Sequence, residues 1–255
     1  MQRDLRSLGS ACHACHNGAA VTSVPLVSER PAERAATRGS ALAGVALGVA
    51  TALAVAGVAF VVWLSPLYFD GALDRAGSPA NLGLPPAEVH ALSWSVVTEL
   101  FVGPGTFAQT IPGPDGQPIR AFSETEASHF RDVQLLVRLL SVGIVVAVTV
   151  LAAGAARAGR EAWFWRAAAR GAGGLAVGLV AIGILFAVAF GPAFTAFHLI
   201  FFPGGNWSFD PQIARMVQLY PTPFWEEVVL VYALLAVGLA VVVWALARTR
   251  ARRFA

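Results

Sequence analysis

The sequence contains no lysine, only two cysteines, and little charge of any kind. Charged residues make up 13% of its 255 positions, about half the ~25% usual in soluble domains. That scarcity excludes an ordinary soluble enzyme, because too few ionised groups are available to coat a water-exposed surface. Two cysteines exclude a disulfide-built scaffold. The formal net charge of +3 is carried by 18 arginines against 15 acids. Their distribution follows membrane topology and not a basic face, so no nucleic-acid partner is implied.

What the chain has in abundance is apolar sequence, 56% of all residues. It falls into four runs. Residues 40–67 are uncharged, 133–156 are interrupted only by Arg138, 171–202 only by His198, and 228–247 are uncharged. Each exceeds the ~20 residues needed to cross ~30 Å of hydrocarbon. None shows the polar stripe of a soluble bundle helix. In lipid such runs must be helices, because every backbone polar group has to be satisfied within the segment. The expected fold class is therefore all-α: a polytopic membrane protein with four transmembrane helices.

Charge asymmetry orients it. Thirteen of the 18 arginines lie within residues 1–39, 157–170 or 248–253, and eleven of the 15 acids lie in the two remaining connections or at their helix junctions. By the positive-inside rule both termini and the middle loop are cytoplasmic. The expected organisation is a cytoplasmic tail over 1–39, a transmembrane domain over 40–247 and a basic cytoplasmic tail over 248–255. The spans are expected near 40–66, 133–155, 172–200 and 226–247, with extracytoplasmic segments 67–132 and 203–225. Trp63, Tyr68, Trp207, Phe224 and Trp225 on one side, and Trp163, Trp165 and Trp244 on the other, read as interfacial belts. Dense small residues in spans one and three (Gly44, Gly48, Gly171, Gly174) read as close helix packing. The first run follows 39 residues and is too long for a signal-peptide core, so it reads as a signal anchor.

Five histidines are the candidates for chemistry. His13 and His16 sit in Cys12-His-Ala-Cys15-His16, the spacing of a c-type haem attachment, but in a tail placed in the cytoplasm by its charge. That tail, rich in Arg, Ser, Ala and Pro, reads as disordered. His90 belongs to a short amphipathic helix over 86–101 expected to lie on the outer leaflet, and reads as a polar-face residue. His129 lies in Glu124-Thr-Glu126-Ala-Ser128-His129-Phe-Arg131-Asp132. Glu126, His129 and Asp132 form a slanting helical row in which a carboxylate one turn away can orient the imidazole. The same segment also reads as a solvated helix start capped by Ser123 or Ser128. His198 lies at the outer end of span three among five phenylalanines, and an ionisable group at that depth marks a functional site by default. The two histidines, remote in sequence, are thus expected at one depth on one side. Arg138 and the Glu226–Glu227 pair are the charged groups near enough to join them.

These residues carry a family resemblance. Glu126-x-x-His129-x-x-Asp132-Val133, Phe197-His198-x-x-Phe201-Phe202, Trp207-x-Phe209 and Leu219-Tyr220-Pro221-x-x-Phe224-Trp225 together resemble the lipoprotein intramolecular transacylase (Lit) family of four-span bacterial membrane proteins, over roughly residues 40–247. The resemblance implies a bacterial cell-membrane acyltransferase whose partners are diacylglyceryl lipoproteins and membrane lipid. It implies movement of the sn-2 acyl chain to the N-terminal cysteine amine, giving a lyso-form lipoprotein, with His129 and His198 catalytic. The tail with its Cys-His cluster lies outside the family pattern, and Gln134 stands where a basic residue often follows Asp-Val.

The chemistry suits two imidazoles. Ester-to-amine transfer needs a base for the ammonium proton, a donor for the tetrahedral oxyanion and an acid for the leaving oxygen. His129, backed by Glu126 or Asp132, reads as the base. His198, with Asn206 and the backbone amides of Gly204 and Gly205, reads as the donor, and Trp207 and Arg138 complete the substrate side. Donor and acceptor lie in one molecule, so proximity is built in and no covalent nucleophile, cofactor or metal is called for. Two other classes fit the same residues: a bis-histidine haem or metal protein, which would absorb visible light, and a membrane scaffold, which would tolerate loss of both histidines.

Overall fold

The computed structural model describes residues 31–255, with side chains from residue 41 onward; the Cys12–His16 cluster and residues 1–30 of the tail expected over 1–39 lie outside the described residues. Four of its helices are long and apolar enough to cross a membrane, within Ala41–Trp63, Glu124–Ala158, Ala162–Val188 and Thr222–Arg253. They belong to α1 (Pro31–Trp63), α5 (Glu124–Ala158), α6 (Ala162–Val188) and α9 (Thr222–Arg253). Much of their surface is apolar and exposed, as in Val61, Val145, Ile184 and Leu234, which is the surface a lipid solvent requires. The protein is thus an integral membrane helix bundle.

Small residues set the helix crossings. A Cβ on Gly171 of α6 would fall against the backbone of Gly48 on α1. The two helices touch backbone to backbone there, the approach that the glycines of spans one and three predict. α6 and α9 pack along their lengths.

The third apolar run is not one helix. α6 stops at Val188, Ala189 leaves helical geometry (φ −143°, ψ 57°), and α7 (Phe190–Phe201) resumes the run. Pro192 explains the break: it has no N–H to offer the Val188 carbonyl four residues back, and its ring clashes with that carbonyl in a continuous helix.

The two connections, expected as extracytoplasmic segments with one short helix over 86–101, form a folded cap. α2 (Pro66–Arg75), α3 (Ser78–Leu82), α4 (Pro86–Val102), a hairpin of β1 (Thr110–Pro112) and β2 (Pro118–Arg120), and α8 (Arg215–Leu219) gather around one apolar core. The hairpin pairs Thr110 with Arg120 and Ile111 with Ile119. Phe69, Leu73, Val89, Val96, Phe107 and Phe122 are buried in this core with Phe130 from α5 and Phe224 from α9. The apolar face of α4 therefore packs on protein, not on a lipid leaflet. Likewise Trp63, Tyr68, Phe224 and Trp225 pack in or against the cap core and are not a free interfacial belt. Ser78 Oγ donates to the Leu219 carbonyl (2.8 Å) and Ser93 Oγ meets Tyr220 Oη (3.0 Å), tying α3 and α4 to the second connection.

α5 links cap and bundle. Its 35 residues make a helix of about 50 Å at 1.5 Å per residue, longer than the hydrocarbon core, so its first turns stand within the cap. Its start is set locally. Ser123 Oγ accepts the Glu126 N–H, and the Glu126 carboxylate accepts the Ser123 N–H, a reciprocal capping box.

Candidate active site at the cap end of the bundle

The first turns of α5 and the last turns of α7 bring His129 and His198 together. Their rings lie nearly parallel, with centroids 5.9 Å apart and an interplanar angle of 26°, and both residues are buried. Phe202 packs against both, 4.8 Å from His129 and 5.5 Å from His198. Trp207 (4.9 Å) and Phe194 (4.1 Å) face His198, and Phe209 (6.1 Å) faces His129. The pair thus sits in an aromatic shell drawn from α7 and the segment that follows it.

The hydrogen bonds assign the nitrogens. His198 Nδ1 lies 2.8 Å from the Phe194 carbonyl. A carbonyl only accepts, so Nδ1 carries the proton and, in the neutral ring, Nε2 carries the lone pair. On His129, Nδ1 is buried and has no partner among the described residues.

Asn206 joins the loop to α5. Its Nδ2 donates to Asp132 Oδ2 (2.7 Å) and to Ser128 Oγ (3.2 Å), while its Oδ1 is buried and unpaired among the described residues. Ser128 and Asp132 flank His129, so this bridge holds the loop over the imidazole. Gly205 makes the turn that leads into it, at φ +75°, where a side chain would be strained. Sequence reading offers Ser128 only as an alternative cap. Its place beside His129 is the one local signal for the role that the structure gives it.

Several expected site residues are occupied elsewhere. Glu126 does not reach His129: one carboxylate oxygen accepts from the Ser123 N–H and hydroxyl, and the other accepts the Met216 N–H at 2.7 Å. It is a cap and a tether. Arg138 donates to the Gly103 carbonyl, and Gln134 Nε2 donates to the carbonyls of Glu99 (2.6 Å) and Gly103 (3.3 Å). Both close the C-terminal end of α4, at the carbonyl of its C-cap Gly103 and at the Glu99 carbonyl, which also accepts the Gly103 N–H (3.1 Å). The Gly205 N–H already donates to the Phe202 carbonyl (3.2 Å), while Gly204 is exposed. Glu227 forms an ion pair with Arg75 at 2.5 Å, fastening α2 to α9. His90 pairs with Asp74 at 2.9 Å, the surface role expected of it.

A helical membrane bundle with a folded cap and a buried imidazole pair at their junction is the class that fold and site define. Residues 103–225 match the family described as lipoprotein intramolecular transacylase Lit. This stretch contains both histidines, and the match agrees with the family resemblance read from the sequence. Among solved structures, the fold is similar to that of the membrane integral lipoprotein intramolecular transacylase Lit from Bacillus cereus. That similarity has a TM-score of 0.69 at 16% identity, covering 85% of this chain and 98% of that one. A variant of the same protein with a histidine replaced by arginine gives 0.63 at 17% identity, covering 88% and 98%. No curated protein matches by sequence.

Proposed function

We propose that this protein is a membrane-embedded lipoprotein transacylase that moves the sn-2 acyl chain of a diacylglyceryl lipoprotein to the α-amine of its N-terminal cysteine. The observation that carries this reading is the buried His129–His198 pair, enclosed by aromatic rings and lying in the stretch that matches the Lit family.

The step balances within one substrate. An imidazole nitrogen takes a proton from the α-ammonium. The freed amine attacks the sn-2 ester carbonyl, and the new C–N bond forms as the carbonyl electrons move to oxygen. The attacking nitrogen gives up a second proton to the other imidazole as the tetrahedral intermediate collapses. The C–O bond breaks, the sn-2 oxygen leaves with one of the two protons from an imidazolium, and the other proton passes to solvent. The product is an N-acyl, lyso-form lipoprotein. In the neutral ring His198 Nε2 holds the lone pair and suits the first transfer, the reverse of the split expected from sequence, and His129, beside Asp132 and the Asn206 bridge, is the partner imidazole. The aromatic shell excludes water, which would otherwise compete with the amine for the ester.

The orientation belongs to the same reading. Arginine placement supports cytoplasmic termini, with the cap and histidines at the outer leaflet, where a lipoprotein's diacylglyceryl group resides. Mass spectrometry of lipopeptides from cells with and without the protein tests it. N-acyl lyso-form lipopeptides that depend on the protein support it; identical lipopeptides in both would overturn it.

A further inference from the structure

At the end of the bundle remote from the histidines, α6 and α9 flank an open cleft. It measures about 500 Å³ and is lined by Arg166 and Arg170 from α6 and by Arg248 and Arg252 from α9. Each pair is spaced i, i+4, so both guanidinium groups of a helix point to the same side. No Asp or Glu side chain lines the cleft, and its rim includes Ala255, the last residue of the sequence, whose carboxylate is one anion against four guanidinium groups. The positive-inside rule asks only for arginines on one side of a membrane; it does not ask for four of them, from two helices, around one opening.

The walls suit a ligand with an anionic head and an apolar body. Gly173 and Trp244 also line the cleft, about one turn deeper into the bundle than Arg170 and Arg248. A Cβ on Gly173 would stand 3.1 Å from the indole, so a larger residue there would push into the ring. The Arg248 guanidinium lies over Trp244, 4.7 Å from the ring centroid. Such stacking uses the face of the guanidinium and leaves its N–H edge for an anion. Deeper along the same helices, Val177 and Val241 are exposed and apolar.

We propose that this cleft binds the phosphate of an anionic glycerophospholipid, with the guanidinium groups on the phosphate and the acyl chains along α6 and α9. Arginine matches phosphate geometry through paired N–H donors, and basic pockets between transmembrane helices select such headgroups. A soluble anion would use the arginines but gain nothing from the apolar surface below them.

The test uses the full chain in vesicles of phosphatidylcholine containing a minor fraction of phosphatidylglycerol. Lipid retained after detergent extraction is read by native mass spectrometry. Phosphatidylglycerol should be retained in preference to phosphatidylcholine, and Arg170→Gln with Arg248→Gln should weaken that preference by roughly fivefold per arginine removed. Arg250→Gln is the control with equal loss of charge: that guanidinium lies over Trp165, outside the cleft, and the preference should survive. Equal retention of the two lipids by the unmodified protein overturns the proposal, whatever the variants do. So does displacement of the lipid by inorganic phosphate at matched concentration, which would make this a site for soluble anions. An equal loss in Arg250→Gln would reduce the effect to net charge and overturn it as well.

Discussion

Glu126 on α5 accepts the backbone N–H of Met216 in α8 at 2.7 Å while its other oxygen completes the cap with Ser123. One buried carboxylate therefore starts the helix that carries His129 and anchors the connection that follows His198.

These bonds make Glu126 part of the frame of the site. Glu126→Ala should destabilise the protein by about 2–3 kcal/mol, from a lost cap and an orphaned buried amide. Glu126→Gln keeps an acceptor for Met216 but turns a donor toward the Ser123 N–H, so it should fall between. Thermal unfolding followed by near-UV circular dichroism measures both, and transfer activity should recover as temperature is lowered. A Glu126→Gln protein with a native midpoint and activity as low as that of His129→Ala would instead put the carboxylate in the reaction.

The histidine pair should behave as a unit. His129→Ala and His198→Ala are each expected to lower transfer by ~10²–10⁴-fold, as for loss of a general acid or base. The double variant should be little worse than either, since groups acting in one step are not additive. His90→Ala breaks only a partly exposed pair with Asp74, worth about 1 kcal/mol or less, and should keep near-native activity. Lipopeptide mass spectrometry on folded, purified variants provides the rates. Near-native transfer by His129→Ala would end the two-imidazole mechanism.

Asn206 gives a prediction with a sign. Asn206→Ala releases the loop from Ser128 and Asp132 and should cost about tenfold in rate, the order of one lost charge-assisted hydrogen bond. Asn206→Asp should be worse than Ala at neutral pH, because it sets a second carboxylate against Asp132. Lowering the pH should narrow that gap as one carboxylate takes up a proton. If Asp is tolerated better than Ala, the bridge to Asp132 is not what positions the loop.

Topology can be read directly. Gln117 is exposed beside the hairpin turn, and Gln117→Cys should react with a membrane-impermeant thiol reagent in intact cells while Cys12 and Cys15 do not. Gly116 is the poorer labelling position, because its φ of +78° strains any side chain. Labelling of the native pair with Gln117→Cys silent would reverse the orientation and put the histidines on the wrong side for lipoprotein chemistry.

The sequence alone determined that the chain is a four-span helical membrane protein and that His129 and His198 are its notable imidazoles. Both properties are local: span length and hydropathy are read residue by residue, and the histidine motifs are short strings. The tertiary structure decided what each polar group meets. Helical spacing places Glu126 beside His129 but cannot say that Met216, remote in the chain, claims the carboxylate. It places Arg138 below Asp132 but not against the Gly103 carbonyl that ends α4. The cap was hidden for the same reason. Its segments are each too short and mixed to announce a core, and become one only when α2, α4, α8 and the end of α5 bury their apolar faces together. The break at Ala189 was visible in principle at Pro192, yet a continuous apolar run masks it, because hydropathy carries no information about a missing N–H.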